Sequence, residues 1–155
     1  MGLFGSDDDK KVAKGPVFLK PVDPDWVLTP NGGFFSFLDL DPEASNLNGA
    51  GGIYLIWHGG VHPEWVFAGE TTNLATDLHD AGQNPDINYY EQSGGLFVAW
   101  ALIKPEFRKG AVKYMEEFFT TLVENAGSYS NNTQAVPITA PTAKTKSKPK
   151  LQPKS

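Results

Sequence analysis

Gly52-Ile53-Tyr54-Leu55-Ile56-Trp57-His58, a turn at Gly59-Gly60, and then Trp65-Val66-Phe67-Ala68-Gly69 form the stretch on which the fold depends. Each run is short, apolar and edged by glycine, and each is rich in the β-branched and aromatic side chains that suit a pleated surface. Two such runs joined by a glycine turn predict a β-hairpin. Directly beyond them the apolar period lengthens. Leu74, Ala75, Leu78 and Ala81 recur at helical spacing, with Thr71 or Thr72 placed as N-cap and Gly82 as terminator.

Upstream of the hairpin, Phe34 to Leu40 lies between Asn31-Gly32-Gly33 and Asp41-Pro42 and reads as a first strand. Downstream, after a loop of Gln, Asn, Pro and Gly, Leu96 to Ile103 is almost wholly apolar, as a strand buried on both faces would be; it is the expected central strand. Pro105 opens a second helix whose apolar face is Val112, Met115, Phe118, Phe119, Leu122 and Val123, with Gly127 just past its end. The order β-β-β-α-β-α predicts an α/β chain of the α+β type, a small mixed or antiparallel sheet flanked by helices.

Composition sets the limits of that domain. A chain of 155 residues, 40% hydrophobic, supports one core. It has no cysteine, so neither disulfides nor thiolate metal sites contribute. Residues 1–25, with Asp7-Asp8-Asp9, Lys10, Lys11, Lys14 and three prolines, read as an extended or disordered leader in which Val17, Phe18 and Leu19 are able to dock. Residues 26–127 form the expected domain, and the Ser-, Thr-, Pro- and Lys-rich residues 128–155 the expected disordered, solvated tail. No apolar run approaches the roughly 18–20 residues that span a bilayer, and no secretory h-region opens the chain, so a cytoplasmic protein is expected. Met1-Gly2-Leu3-Phe4-Gly5-Ser6 fits the short myristoylation pattern, but the aspartates after it oppose an anionic membrane surface, and no membrane partner is expected. Asp-Asp-Asp-Lys also resembles part of a protease-site tag, and Asn131-Asn132-Thr133 matches a glycosylation sequon expected by chance.

Charge bears on partners. Residues 1–139 carry 8 basic and 18 acidic side chains, while Lys144, Lys146, Lys148, Lys150 and Lys154 sit in the tail. A body that acidic repels a phosphate backbone, which rewards a basic face through counterion release. His58, His62 and His79 lack metal-ligand spacing. Trp57, Trp65 and Trp100 on adjoining strands read as core or core-edge residues rather than a base-stacking platform, since no cations accompany them.

A strand reading Gly52-Ile53-Tyr54, a second ending in Phe67-Ala68-Gly69, and then Thr71 before a helix resemble the GIY-YIG endonuclease pattern over roughly Gly52 to Asn125. The resemblance implies a site that cleaves a phosphodiester with one divalent ion, a Glu ligand on the later helix, tyrosines near the attacking water and an Arg on the first helix. A carboxylate-held metal would polarise the phosphate, and a fixed cation would offset the charge developing on it. Carried over by position, Tyr54 keeps the first tyrosine, Glu116 fits the ligand Glu better than Glu117, and Gly52, Gly69 and Thr71 are motif positions. Phe67 replaces the second tyrosine, and Asp77 stands at the Arg place, with no Lys or Arg between Lys20 and Lys104. Asn125 or Asn131 is the counterpart of an Asn that often follows the helix in that family.

Each surviving residue also has a structural reading: Tyr54 as a core ring, Glu116 and Glu117 as solvated or ion-paired carboxylates, with Lys113 three residues from Glu116. Asp77 as a second carboxylate ligand beside Glu116 is a further arrangement. The expectation is a degenerate nuclease fold, catalytically impaired, serving as a protein-binding or structural subunit that requires no cofactor, has a protein partner and takes no small-molecule ligand. The alternative is a DNA endonuclease dependent on Mg or Mn with a rearranged site, in which Tyr54 and Glu116 act and Lys104, Arg108 or Lys113 reaches the phosphate.

Overall fold

The computed structural model describes residues 20–143. Its strands are β1 (Phe35–Ser36), β2 (Gly52–His58), β3 (Glu64–Thr71) and β4 (Leu96–Ala101). Its helices are α1 (Leu74–Ala81), a short α2 (Pro85–Asn88) running into a 3₁₀ turn over Tyr89–Ser93, and α3 (Pro105–Tyr114), which widens into a π-helical turn over Met115–Phe119. The strands form one antiparallel sheet in the order β1-β4-β2-β3. This is the expected α+β arrangement, with β4 and β2 inside the sheet and β3, the second strand of the hairpin, at an edge.

Strand alternation splits the interior into two cores. Tyr54, Ile56, Val98 and Trp100 face Leu74, Ala75, Leu78 and Ala81 of α1. Ile53, Leu55, Trp57, Ala99 and Ala101 face Ala111, Val112 and Met115 of α3. Because helices cover both faces, all seven residues of β2 are buried. A bulge between Ile56 and Trp57 in the β2–β3 pairing leaves Val66 without a partner, so that the consecutive Val66 and Phe67 both enter the α1 core. Trp57 and Trp65 meet edge to face at 5.6 Å in the α3 core, whereas Trp100 stacks on Phe35 in the α1 core, so the three tryptophans do not form one cluster.

Several expectations are corrected. The Phe34–Leu40 strand shrinks to two residues because the chain turns after Phe37, whose N–H still bonds Leu96 O. The expected central strand stops at Ala101 rather than Ile103, and β2 is the strand paired along its length on both sides. Helix α1 is capped by Asn73, whose side chain accepts from Ala75 N, while Thr71 Oγ1 accepts from Asn73 N. The last helix ends early: Thr120 takes a left-handed φ of 62°, and Leu122 and Val123 leave the helix to donate backbone bonds to Trp65 O and Val66 O. Those bonds cover the otherwise open edge of β3, which an unpaired strand requires.

The ordered body also passes the boundaries read from composition. Val22 forms a parallel bridge with Ile138, Trp26 Nε1 donates to Thr139 O, and Val136 N donates to Gly110 O. Ile138 is 4% exposed, so this part of the supposed tail belongs to the core. Residues 1–19 and 144–155, which carry the myristoylation pattern and the lysine run, lie outside the described residues. Among the described residues no helix is long and apolar enough to cross a membrane.

Candidate functional site

Tyr54 lies at the middle of β2, opposite Gly69 of β3 and Trp100 of β4. Its ring occupies the space above Gly69, where a Cβ would lie 2.4 Å from Tyr54 Cζ. Gly52 is equally confined, since a Cβ there would meet Ala101 O at 2.1 Å. Both glycines of the hairpin motif thus have a packing reason: one makes room for the ring, the other for the close approach of β4. Phe67 sits beside Tyr54 at 6.1 Å between ring centroids.

A cavity of about 360 Å³ opens beside these rings, lined by Tyr54, Phe67, Glu70, Asp77, Asp80 and Asn84 on one side and by residues 125–128 on the other. Helical spacing puts Asp77, Asp80, Ala81 and Asn84 along one strip of α1 and its exit. None of the lining residues is Lys or Arg. The electrostatics follow. Burial raises the Asp77 carboxyl above its ordinary range; a hydrogen bond with Thr71 opposes this, the charges of Asp80 and Glu70 add to it, and a hydrogen bond with Tyr54 again opposes it. Burial pushes the Tyr54 phenol far up, and Asp77 pushes it further through its charge and by accepting the phenolic hydrogen bond. A phenol so placed stays protonated at neutral pH and is a donor, not a base.

Glu116 is not among the residues lining that cavity. Its two oxygens are engaged elsewhere: Oε2 accepts from Asn125 N at 2.7 Å and Oε1 from the Tyr129 hydroxyl at 2.8 Å. Asn125 Nδ2 donates to Ala68 O at 3.0 Å, so Glu116, Asn125 and the edge of β3 form one chain of bonds that holds the segment after α3 in place. Burial, and then the bond and charge of Glu116, push the Tyr129 phenol up to about 12. Glu116 thus stands behind the Asn125 part of the wall rather than in the lining, where Asp77 is grouped with Glu70 and Asp80. Asn125 joins the cavity wall, while Asn131 stays outside it and offers its carbonyl to Lys113.

The cations have other duties as well. Arg108 Nε donates to Ile103 O at 2.9 Å, Lys113 Nζ to Thr133 O at 2.7 Å, and Lys109 pairs with Glu70 at 3.2 Å. Lys113 thus holds a carbonyl rather than forming the surface pair with Glu116, and Lys104 stands at the start of α3. His58 Nε2 lies 3.0 Å from Glu64 Oε1. Among the described residues no three His, Asp or Glu side chains are arranged to hold a metal ion.

Sequence reasoning missed Glu70, Asp80, Asn84 and residues 126–128 as parts of this cavity. The i, i+3 step from Asp77 to Asp80 was a usable signal. Nothing local marks Glu70 or Ser128, which tertiary folding brings there. Compared with family models, curated proteins and solved structures, the chain matches none of them.

Proposed function

We propose that the chain is a catalytically impaired GIY-YIG-like module that acts as a protein-binding or structural subunit. The observation that supports this reading is the engagement of both Glu116 oxygens by Asn125 and Tyr129, with Glu116 outside the lining of the cavity that holds Tyr54 and Asp77. The resemblance itself is supported by the element order of β2, β3, a capped α1, β4 and a Glu-bearing α3, with Tyr54 over Gly69.

A phosphodiester entering the cavity would face Asp77, Asp80 and Glu70, of which only Glu70 is paired with a cation, Lys109 at 3.2 Å from outside the lining; the net negative wall opposes rather than stabilises charge on phosphoryl oxygens. Phe67 offers no hydroxyl beside Tyr54. What remains is a scaffold with an acidic recess and aromatic surface residues such as Tyr89, 62% exposed, which are the kind of groups that serve protein recognition.

The test is cleavage of labelled single-stranded, duplex and branched DNA with magnesium or manganese at low salt, comparing the native chain with Glu116→Ala. No cutting by either protein is expected. Metal-dependent cutting abolished by the substitution would establish the rearranged endonuclease instead.

A further inference from the structure

Beyond the recess beside Tyr54, a second cavity of about 470 Å³ opens between α2 with its 3₁₀ turn and the segment after α3. Pro85, Asp86, Tyr89, Tyr90, Leu122 and Glu124 line it. The two tyrosine rings meet at 88° with centroids 5.0 Å apart, which makes an aromatic corner. Tyr90 also stacks on His58 at 6.1 Å, while Tyr89 stays 62% exposed. The other wall is tied down as well, because Leu122 and Val123 donate their backbone bonds to β3.

The two cavities adjoin through consecutive residues on both walls. Asn84 lines the first and Pro85 the second; Asn125 lines the first and Glu124 the second. Together they make one cleft with the carboxylates of Glu70, Asp77, Asp80, Asp86 and Glu124 and with no Lys or Arg in its lining. Lys109 pairs with Glu70 from outside, and the other four carboxylates have no ion-pair partner among the described residues.

We propose that a segment of a partner protein bearing Lys or Arg side chains docks along this cleft, with one cation in the recess and another at the tyrosine corner. The inference rests on the protein-binding reading and names the chemistry of the partner. Charge selects it. A cation gains both from carboxylates and from the face of an aromatic ring, and the corner offers the two together. Burial, with the charges of Asp80 and Glu70, disfavours the ionised Asp77 carboxyl, and a cation beside it supplies the missing countercharge. Ser128 lines the recess too, and its buried Oγ has no hydrogen-bond partner among the described residues, so an N–H donor would satisfy it. A single metal ion does not fit, since no three Asp, Glu or His among the described residues are arranged to hold one. Shape points to a peptide. Joined cavities suit cations spaced along an extended chain, with Pro85 and Leu122 against their methylene stems.

The full chain is titrated into a fluorescent peptide of alternating Arg and Ser at low salt, and binding is read by anisotropy. Saturable binding is expected, about tenfold weaker in Asp77→Asn with Asp80→Asn and about threefold weaker in Tyr89→Ala. Removing two charges outside both linings, in Asp23→Asn with Glu106→Gln, should leave it unchanged. No saturable binding, or equal weakening by that control pair, would overturn the proposal. So would spermidine competing as well as the peptide, which marks a site for free amines. Overhauser contacts in the native chain between the Tyr89 ring and the lysines of residues 144–154 would give the cleft to the chain's own tail and overturn it too. Metal-dependent cutting of DNA would sink the underlying reading instead, so the two fail separately.

Discussion

Replacing Gly69 with alanine would drive a methyl group into the Tyr54 ring. The added Cβ would lie 2.4 Å from Cζ, 2.5 Å from the hydroxyl oxygen and 2.7 Å from Cε1. Carbon atoms in a packed core rest about 3.5–4.0 Å apart, so the ring must retreat by about 1 Å. It has little room to do so, for Tyr54 is 3% exposed, flanked by Phe67 and held by Asp77. Overpacking of this kind costs about 1–3 kcal/mol. At about 2–4 °C per kcal/mol for a chain of this size, Tm should fall by roughly 2–12 °C. The assay is urea unfolding of Gly69→Ala in the native background and in Tyr54→Leu, which removes the ring atoms in question. The account predicts a lower midpoint at constant m in the first and most of that loss abolished in the second. Equal losses in both backgrounds, or none in either, would refute the claim that Gly69 exists to admit Tyr54.

Other outcomes follow from the same contacts. Glu116→Gln should bring the Tyr129 phenol, raised to about 12, back toward its ordinary 10.0, read from its ring signals in an alkaline titration. Since the folded value is the higher one, stability linked to Tyr129 is fully present below pH 10.0 and is lost as pH rises through about 12. Asp77→Asn should be more stable than the native chain at pH 7, because it removes a carboxylate that burial and the charges of Asp80 and Glu70 disfavour. That advantage should vanish as the pH falls from above the ordinary value of 3.8 to below it, where Asp77 is protonated in both states; melting curves across that range check the sign. Asn73→Ala removes the α1 cap and the acceptor for Gly49 N, and should cost about 1–2 kcal/mol in the same unfolding assay.

The hairpin, α1 and the start of α3 were legible because glycine turns, periodicity and Pro105 are local signals. The end of α3 was not, because Leu122 and Val123 continue a helical apolar spacing while their backbone is claimed by the edge of β3. Composition marked residues 128–155 as tail, yet Ile138 is buried against Trp26 and α3 through contacts more than a hundred residues apart in sequence for Trp26. The site was half visible. Tyr54, Phe67 and Asp77 line one cavity, but the place of Glu116 depends on Asn125 and Tyr129, whose approach no local pattern announces.

The central claim is that Glu116 braces the segment after α3 and does not hold a metal. Manganese titration of the native chain, followed by paramagnetic broadening of the Glu116, Asn125 and Tyr129 signals, tests it most directly. The account predicts no localised broadening there and an unchanged Tyr129 titration; saturable broadening centred on Glu116, with the Tyr129 phenol released toward 10.0, would contradict it.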